Sequence, residues 1–262
     1  MQLSEINIYP VKSLRGISVT EWPVDARGLK LDRHWMLIND AGHFITQRQF
    51  PQLSLVNTSL TDNQLTIDSQ GFSSLQLPID ETNGEQREVE IWKQSITACS
   101  SGATASEWFS DYLGEKTHLV FLPEEVIRPV DPDYANPSDQ VGFADGFPFL
   151  IISEASLDDL NQRLDVALPM QRFRPNLVIK HSAAYAEDDW QHLSIGNIDL
   201  NIVKPCARCA ITTINPETAA RSKEPLATLR HYRKYGNLVY FGQNAIHQNQ
   251  GILKINDKVT IK

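Results

Sequence analysis

The segment Lys204-Pro205-Cys206-Ala207-Arg208-Cys209-Ala210-Ile211-Thr212-Thr213-Ile214-Asn215-Pro216 concentrates the groups best suited to chemistry. It holds two of the chain's three cysteines, with a guanidinium between them and two threonines soon after. A thiolate is a strong ligand for a soft or redox-active metal, and a neighbouring positive charge favours the ligand form. Arg208 adds a planar fork of donors that matches a phosphate. A metal-binding cysteine beside an anion-binding arginine suggests a cofactor that carries both a metal and a phosphate.

Three other readings compete. Structural zinc normally takes four ligands, as two Cys-x-x-Cys pairs or one such pair with two closely spaced histidines. Cys99 is the remaining cysteine, and His34, His43, His118, His181, His192, His231 and His247 show no spacing of three to five. A zinc ribbon is therefore a poor fit. A thioredoxin-type dithiol opens a helix after a strand, whereas Ile211, Thr212, Thr213 and Ile214 are β-branched and run into Asn215-Pro216. That pattern predicts a strand entering a turn. The third reading is two ordinary half-buried cysteines, since cysteine is among the most buried residue types. Spacing alone does not separate this from a cofactor ligand.

The rest of the chain must position this segment. At 262 residues with 41% hydrophobic content it can bury a good core, as one large or two small domains. A net charge of −8 argues against nucleic-acid binding, which needs many Lys and Arg facing phosphates. An anionic cofactor would require the positive charge to be concentrated locally, and Lys12, Arg33, Arg174 and Arg208 are the candidates. Met1 to Pro10 alternates like a strand, without the apolar or Arg-rich character of a leader. No apolar run approaches the ~18 residues of a membrane helix. An odd cysteine count fits a reducing cytoplasm better than a disulfide framework. The expectation is a cytoplasmic protein with no membrane and no nucleic-acid partner.

The first ~95 residues read as strands. Ser4 to Tyr9, Ile17 to Trp22, Trp35 to Ile38, Leu65 to Ile67 and Glu88 to Trp92 carry the pattern. A helix is predicted from Thr104, with Glu107 completing a capping box and Gly114 as the stop. Its apolar face is Ala105, Trp108, Phe109, Tyr112 and Leu113. Leu122 to Pro148 carries five prolines, two glycines and six acidic residues, and reads as a long irregular connection that could rim a pocket. A second helix is predicted over Glu154 to Leu164 with Ser153 as N-cap. Ile198, Leu200 and Ile202 alternate as a half-buried strand after a Gly196-Asn197 turn and lead into the cysteines. A third helix begins at Pro225. Ile252 to Ile255 and Val259 to Ile261, around Asn256-Asp257, read as a closing hairpin.

Several stretches together resemble the MOSC family of molybdenum-cofactor proteins, in the branch of the mitochondrial amidoxime-reducing component and bacterial relatives that detoxify N-hydroxylated bases. They are Tyr9-Pro-Val-Lys-Ser13, Asp32 to Asn39, Ile152 to Leu164, Phe173-Arg-Pro-Asn176, Tyr185 to Asp188, Pro205 to Pro216, Lys223 to Leu229 and Phe241-Gly-Gln243. Each is a weak signal. Their order along essentially the whole chain is what carries the likeness.

The resemblance implies a strand-dominated α+β fold, with a MOSC N-terminal β domain over residues 1–120 and a MOSC-type β-barrel over 121–262. It implies the molybdenum cofactor (Mo-molybdopterin), whose dithiolene supplies two sulfurs so that one protein thiolate suffices. Cys209 is then the metal ligand and catalytic residue. Lys12, Ser13 and Arg33 would contact the cofactor from the N-terminal half, and Arg174, Asn176, Ala207 and Arg208 from the C-terminal half. Gly146, Phe147 and Asn244 would stand at the edge. Pyridoxal phosphate binding is an association at family level only. Cys206 would tune the metal as a neighbour or pack as a small hydrophobe, with the first preferred. Cys99 is expected to be structural. His181 and His192 are candidates for proton delivery, and Glu187 and Asp188 for pairing with a site arginine, solvating a loop, or acid–base work.

The implied activity is reduction of small-molecule N-hydroxylated compounds (amidoximes, hydroxylamines, N-hydroxylated bases). Some relatives carry a ferredoxin-like extension with a Cys-x4-Cys-x2-Cys motif, which is not found in this sequence. Electrons are therefore expected from a separate donor protein of ferredoxin, flavoprotein or cytochrome type. The alternative is a carrier of the cofactor or of sulfur without reductase activity. The match at Ile152 to Leu164 favours the enzyme.

Overall fold

The computed structural model describes residues 1–79 and 84–262. The architecture is α+β and strand-dominated, with three α-helices among the described residues and a half-barrel among its sheets. In the first half, Trp35–Asn39, Thr117–Phe121, Gln94–Ser100 and Gln86–Ile91 form a four-stranded sheet. Helix α1 (Ala103–Leu113) buries Ala105, Phe109 and Leu113 in the same core as Trp35, Leu37 and Phe121. Trp108 and Tyr112 pack on its edge. The helix starts one residue before the predicted Thr104, and the N-cap is Gly102 with no side-chain bond in place of the expected capping box. Gly102 has a φ of 90°, a turn into the helix that threonine resists. Gly114 ends the helix in the left-handed conformation, as its position predicts.

The largest sheet has the order Val259–Ile261, His192–Ile195, Ile198–Ala207, Leu238–His247, Phe149–Ser153, Leu177–Lys180, Gln2–Ile8 and Ile17–Val19, with Lys234–Tyr235 paired onto Leu238–His247. Phe149–Ser153 and Leu177–Lys180 are parallel neighbours. They are almost entirely buried and so read as continuous apolar runs. Helix α2 (Glu154–Asn161) lies between them in sequence, and Ser153 Oγ accepts from Ser156 N as the predicted cap. Helix α3 (Leu226–Tyr232) follows Pro225 and covers the same side, where Leu160, Phe173, Leu229 and Phe241 form one cluster.

Two predicted pairings differ. Ile17 to Trp22 is not one strand: Ile17–Val19 joins Gln2–Ile8, while Glu21–Asp25 pairs with Gly251–Lys254 in another sheet. The closing hairpin does not form either. Gly251–Lys254 and Val259–Ile261 go to different sheets, the second pairing with His192–Ile195. Asn256, with a φ of 68°, makes the turn that the sequence signals, but the flanking strands pair with Glu21–Asp25 and His192–Ile195 instead of with each other. As expected, the stretch from 122 to 148 is irregular. Arg27 gathers the carbonyls of Leu122, Pro123, Glu124 and Val126, and Arg128 donates 2.6 Å bonds to those of Gly142 and Ala144. Among the described residues no helix is long and apolar enough to cross a membrane.

Candidate cofactor-binding site

The strand Ile198–Ala207 delivers the cysteines. Its inner positions Ile198 and Leu200 are buried, and its register against Leu238–His247 slips between Ile202 and Lys204 and again between Pro205 and Ala207. Pro205 has no N–H for the ladder, so a slip there is where proline is tolerated. Arg208 N then bonds Val239 O at 2.7 Å, and Cys209 caps a single 3-10 turn, Ala210–Thr213. A strand was expected over Ile211 to Ile214. The threonine hydroxyls overturn it: Thr212 Oγ1 donates to Cys209 O at 3.0 Å and Thr213 Oγ1 to Ala210 O at 2.7 Å. Such local bonds compete with strand formation.

The N-terminal half brings Tyr9 to the same place. Its ring lies between two guanidiniums, Arg33 and Arg174, each with Cζ 4.2 Å from the ring centroid. Its hydroxyl donates to Pro175 O at 3.1 Å. Burial pushes the Tyr9 phenol up to about 12, against the opposing pull of the two arginines. Burial likewise draws Arg174 down to about 10. Ser13, Arg33 and Arg174 all have left-handed backbones, with φ of 72°, 47° and 55°. Non-glycine residues hold that conformation where the surroundings over-determine it, often at functional sites. Asn176, 2% exposed, supports them: its Oδ1 accepts from Arg33 Nη1 and Leu150 N, and its Nδ2 donates to Asn7 O.

These elements enclose a cavity of about 140 Å³. Five cationic side chains line it, Lys12, Arg33, Arg48, Arg174 and Arg208, with one carboxylate, Asp145. Lys12 Nζ donates to Phe143 O at 2.8 Å and to Asp145 Oδ1 at 2.5 Å. Burial draws the Lys12 ammonium down while Asp145 opposes it. The Asp145 side chain is 60% exposed, yet desolvation by the surrounding protein raises its carboxyl; Lys12, with Arg48 and Arg33 beyond, outweighs this and takes it to about 2. With a carboxylate and a carbonyl both in bonding range, the geometry satisfies the ammonium at neutral pH. Arg208 donates to Cys206 Sγ at 3.0 Å and to Phe173 O at 2.6 Å, and its buried Nε has no partner. Arg48 Nη1 is 3.9 Å from Cys209 Sγ.

All eleven residues expected at the site line this one cavity: Lys12, Ser13, Arg33, Gly146, Phe147, Arg174, Asn176, Ala207, Arg208, Cys209 and Asn244. Thr46, Arg48, Asp145 and Thr212 line it as well and were not expected. Asp145 was one of six acids in the irregular stretch, and nothing in Thr46 to Gln49 marks Arg48. Cys206 also faces the cavity, whereas Cys99 is buried in the core beneath α1. His181 and His192 are exposed and off the cavity, His192 bonding Asn201. Asp188 pairs with Arg233 at 2.7 Å and accepts from Gln243. Glu187, 1% exposed, accepts from Ser153 N and Ser156 Oγ. Neither acid reaches the cavity.

Residues 1–116 match the MOSC N-terminal beta barrel domain and residues 138–260 the MOSC domain. The chain is 36% identical to mitochondrial amidoxime-reducing component 1 of Homo sapiens, across 98% of this chain and 82% of that protein. It is 35% identical to the Mus musculus protein of the same name, across 98% and 81%. It is 34% identical to mitochondrial amidoxime reducing component 2 of Bos taurus, across 98% and 82%. The chain belongs to the MOSC family, as a two-domain member related along nearly its whole length to the amidoxime-reducing components.

Proposed function

We propose that this chain is a molybdenum-cofactor-dependent oxidoreductase that reduces N-hydroxylated compounds, drawing electrons from a separate donor protein. One observation carries the reading: a chain of net charge −8 gathers five cations and two free thiols, Cys206 and Cys209, around one cavity that holds a single carboxylate. That charge excess fits an anionic group, and the buried, unpartnered Arg208 Nε is a donor waiting for one. The donor set also fits a metal that arrives with ligands of its own. Among the described residues no group of three or more His, Cys, Asp or Glu could hold a metal alone. The names of the relatives, amidoxime-reducing components, support the substrate class.

In this reading Cys209 supplies the protein's thiolate to molybdenum, and Lys12, Arg33, Arg174 and Arg208 hold the pterin phosphate. When bound, the cofactor supplies two-electron oxygen-atom abstraction. The chain's residues do the positioning. Asp145 and Phe143 O fix Lys12, the Tyr9 ring spaces Arg33 from Arg174, and Phe173 O fixes Arg208. Overall, the N–O bond of the substrate breaks, two electrons and two protons are consumed, and the oxygen leaves as water.

The test is metal and pterin analysis of protein made in a molybdenum-replete host, with the same sample assayed for benzamidoxime reduction using an artificial reductant. The expected result is near-stoichiometric cofactor and formation of benzamidine. A loaded protein that reduces no N–O bond under a strong reductant overturns the reductase reading in favour of a carrier.

A further inference from the structure

Arg48 lines the cavity and also lies over an aromatic residue that does not, Trp92. Trp92 stands in the two-residue turn between Gln86–Ile91 and Gln94–Ser100. Its φ is 56° and its side chain is exposed, at 43%. Such turns favour glycine or asparagine, and a bulky aromatic there is an outlier that points to a use. The ring packs against Phe44, with centroids 5.3 Å apart, and the Arg48 guanidinium lies over it at 5.1 Å. Arg48 is the link inward. Thr46 Oγ1 accepts from its backbone N–H, Arg221 donates to its carbonyl at 2.7 Å, and its Nη1 reaches 3.9 Å from Cys209 Sγ. Among the described residues that sulfur is the one hydrogen-bond partner of the guanidinium, so its other N–H groups are free to bind something in the cavity.

We propose that Arg48 and Trp92 form the substrate-recognition wall, so that the site prefers N-hydroxylated compounds carrying a planar aromatic group. This rests on the reductase reading above. Arg48 donates to the oxygen of the N–OH group beside Cys209, and the exposed face of Trp92 stacks on the aromatic end that projects from the mouth. A guanidinium suits the oxygen because it donates in one plane and stays charged. An indole suits the ring because offset stacking needs only a large rigid π face.

The discriminating variant is Trp92→Gly, because glycine adopts the turn's backbone freely and the fold is not put at risk. In cofactor-loaded protein the ratio of kcat/KM for benzamidoxime over acetamidoxime falls roughly three- to tenfold, through KM. Equilibrium binding of benzamidine to the loaded protein weakens by the same factor, a readout independent of turnover. Arg48→Lys keeps the charge and loses the fork, raising KM for both amidoximes with molybdenum and pterin content per chain held at the parent level. An unchanged ratio with unchanged benzamidine binding in Trp92→Gly overturns the Trp92 assignment and leaves the reductase reading standing. Lost cofactor in Arg48→Lys overturns the Arg48 assignment, since the side chain then serves the cofactor. A parent protein that reduces neither amidoxime overturns both readings at once.

Discussion

Lys12 Nζ lies 2.5 Å from Asp145 Oδ1 across 133 positions of sequence, tying the end of the first strand region to the irregular stretch that closes the cavity. The Lys12 side chain is 8% exposed, so its ammonium depends on this carboxylate and on Phe143 O. Removing one partner of a buried charge costs about 1–3 kcal/mol, and the 60% exposure of Asp145 puts the effect at the lower end. Asp145→Asn should therefore lower the unfolding free energy by about 1–2 kcal/mol at pH 7. The carboxyl is held near 2 in the folded chain against an ordinary 3.8. Its contribution is thus complete above about pH 4 and disappears as the pH falls towards 2. Urea unfolding of both proteins at pH 7, 4 and 3 checks this, and equal stability at pH 7 would remove the pair from the account.

Tyr9 separates two guanidiniums that would otherwise repel at close range, and both face the cavity. Charge-assisted bonds to an anion contribute roughly 1.5–3 kcal/mol each. Arg33→Ala and Arg174→Ala should each weaken cofactor retention by about tenfold or more, measured as pterin and molybdenum per chain after dialysis. Tyr9→Phe keeps the spacer and should retain the cofactor, whereas Tyr9→Leu loses two cation–π contacts of about 0.5–1 kcal/mol each. Retention in Arg174→Ala equal to the parent's would place the phosphate elsewhere.

Local signals in the sequence read well where a residue acts through its own neighbours. Ser153 caps α2, Gly114 stops α1, and the strand leading to Pro205 shows its period in Ile198 and Leu200. The charged residues around the cavity divide along the same line. Lys12, Arg33, Arg174 and Arg208 sit in ordered motifs, and each was named. Arg48 and Asp145 belong to stretches without a pattern, and their partners lie 161 and 133 positions away. Pairing was also illegible at the C-terminus, because Gly251–Lys254 and Val259–Ile261 carry strand patterns that do not say which sheet receives them. After Cys209, β-branched side chains pointed to a strand while their hydroxyls made a turn. The same atoms supported both, and the short-range hydrogen bonds won.

The two cysteines are not equivalent in their surroundings. Cys206 Sγ accepts from Arg208 at 3.0 Å, while Cys209 starts the 3-10 turn with Arg48 3.9 Å away. Cys209→Ala should abolish reduction and Cys206→Ser should keep a measurable fraction, because a hydroxyl can still accept from Arg208. Steady-state assays on samples matched for cofactor content decide it. Full activity in loaded Cys209→Ala would sink the ligand assignment.

Gly242 sets the path of the strand that carries Asn244 to the cavity wall. Its φ is 80°, and a Cβ there would come 2.6 Å from Ile152 Cγ1 and 2.9 Å from Ile151 O. The backbone oxygen belongs to the neighbouring strand Phe149–Ser153, so it cannot turn aside as a side-chain end can. Gly242→Ala combines the left-handed penalty of about 1–2 kcal/mol with overpacking of about 1–3 kcal/mol. The expected loss is about 2–5 kcal/mol in urea unfolding. Because Asn244 opposes Leu150 and Lys204 two residues further on, the displaced strand should also loosen the cavity and lower cofactor content per folded chain. Cofactor content at the parent level in a strongly destabilised Gly242→Ala protein would show that the strand yields on its far side, away from the cavity.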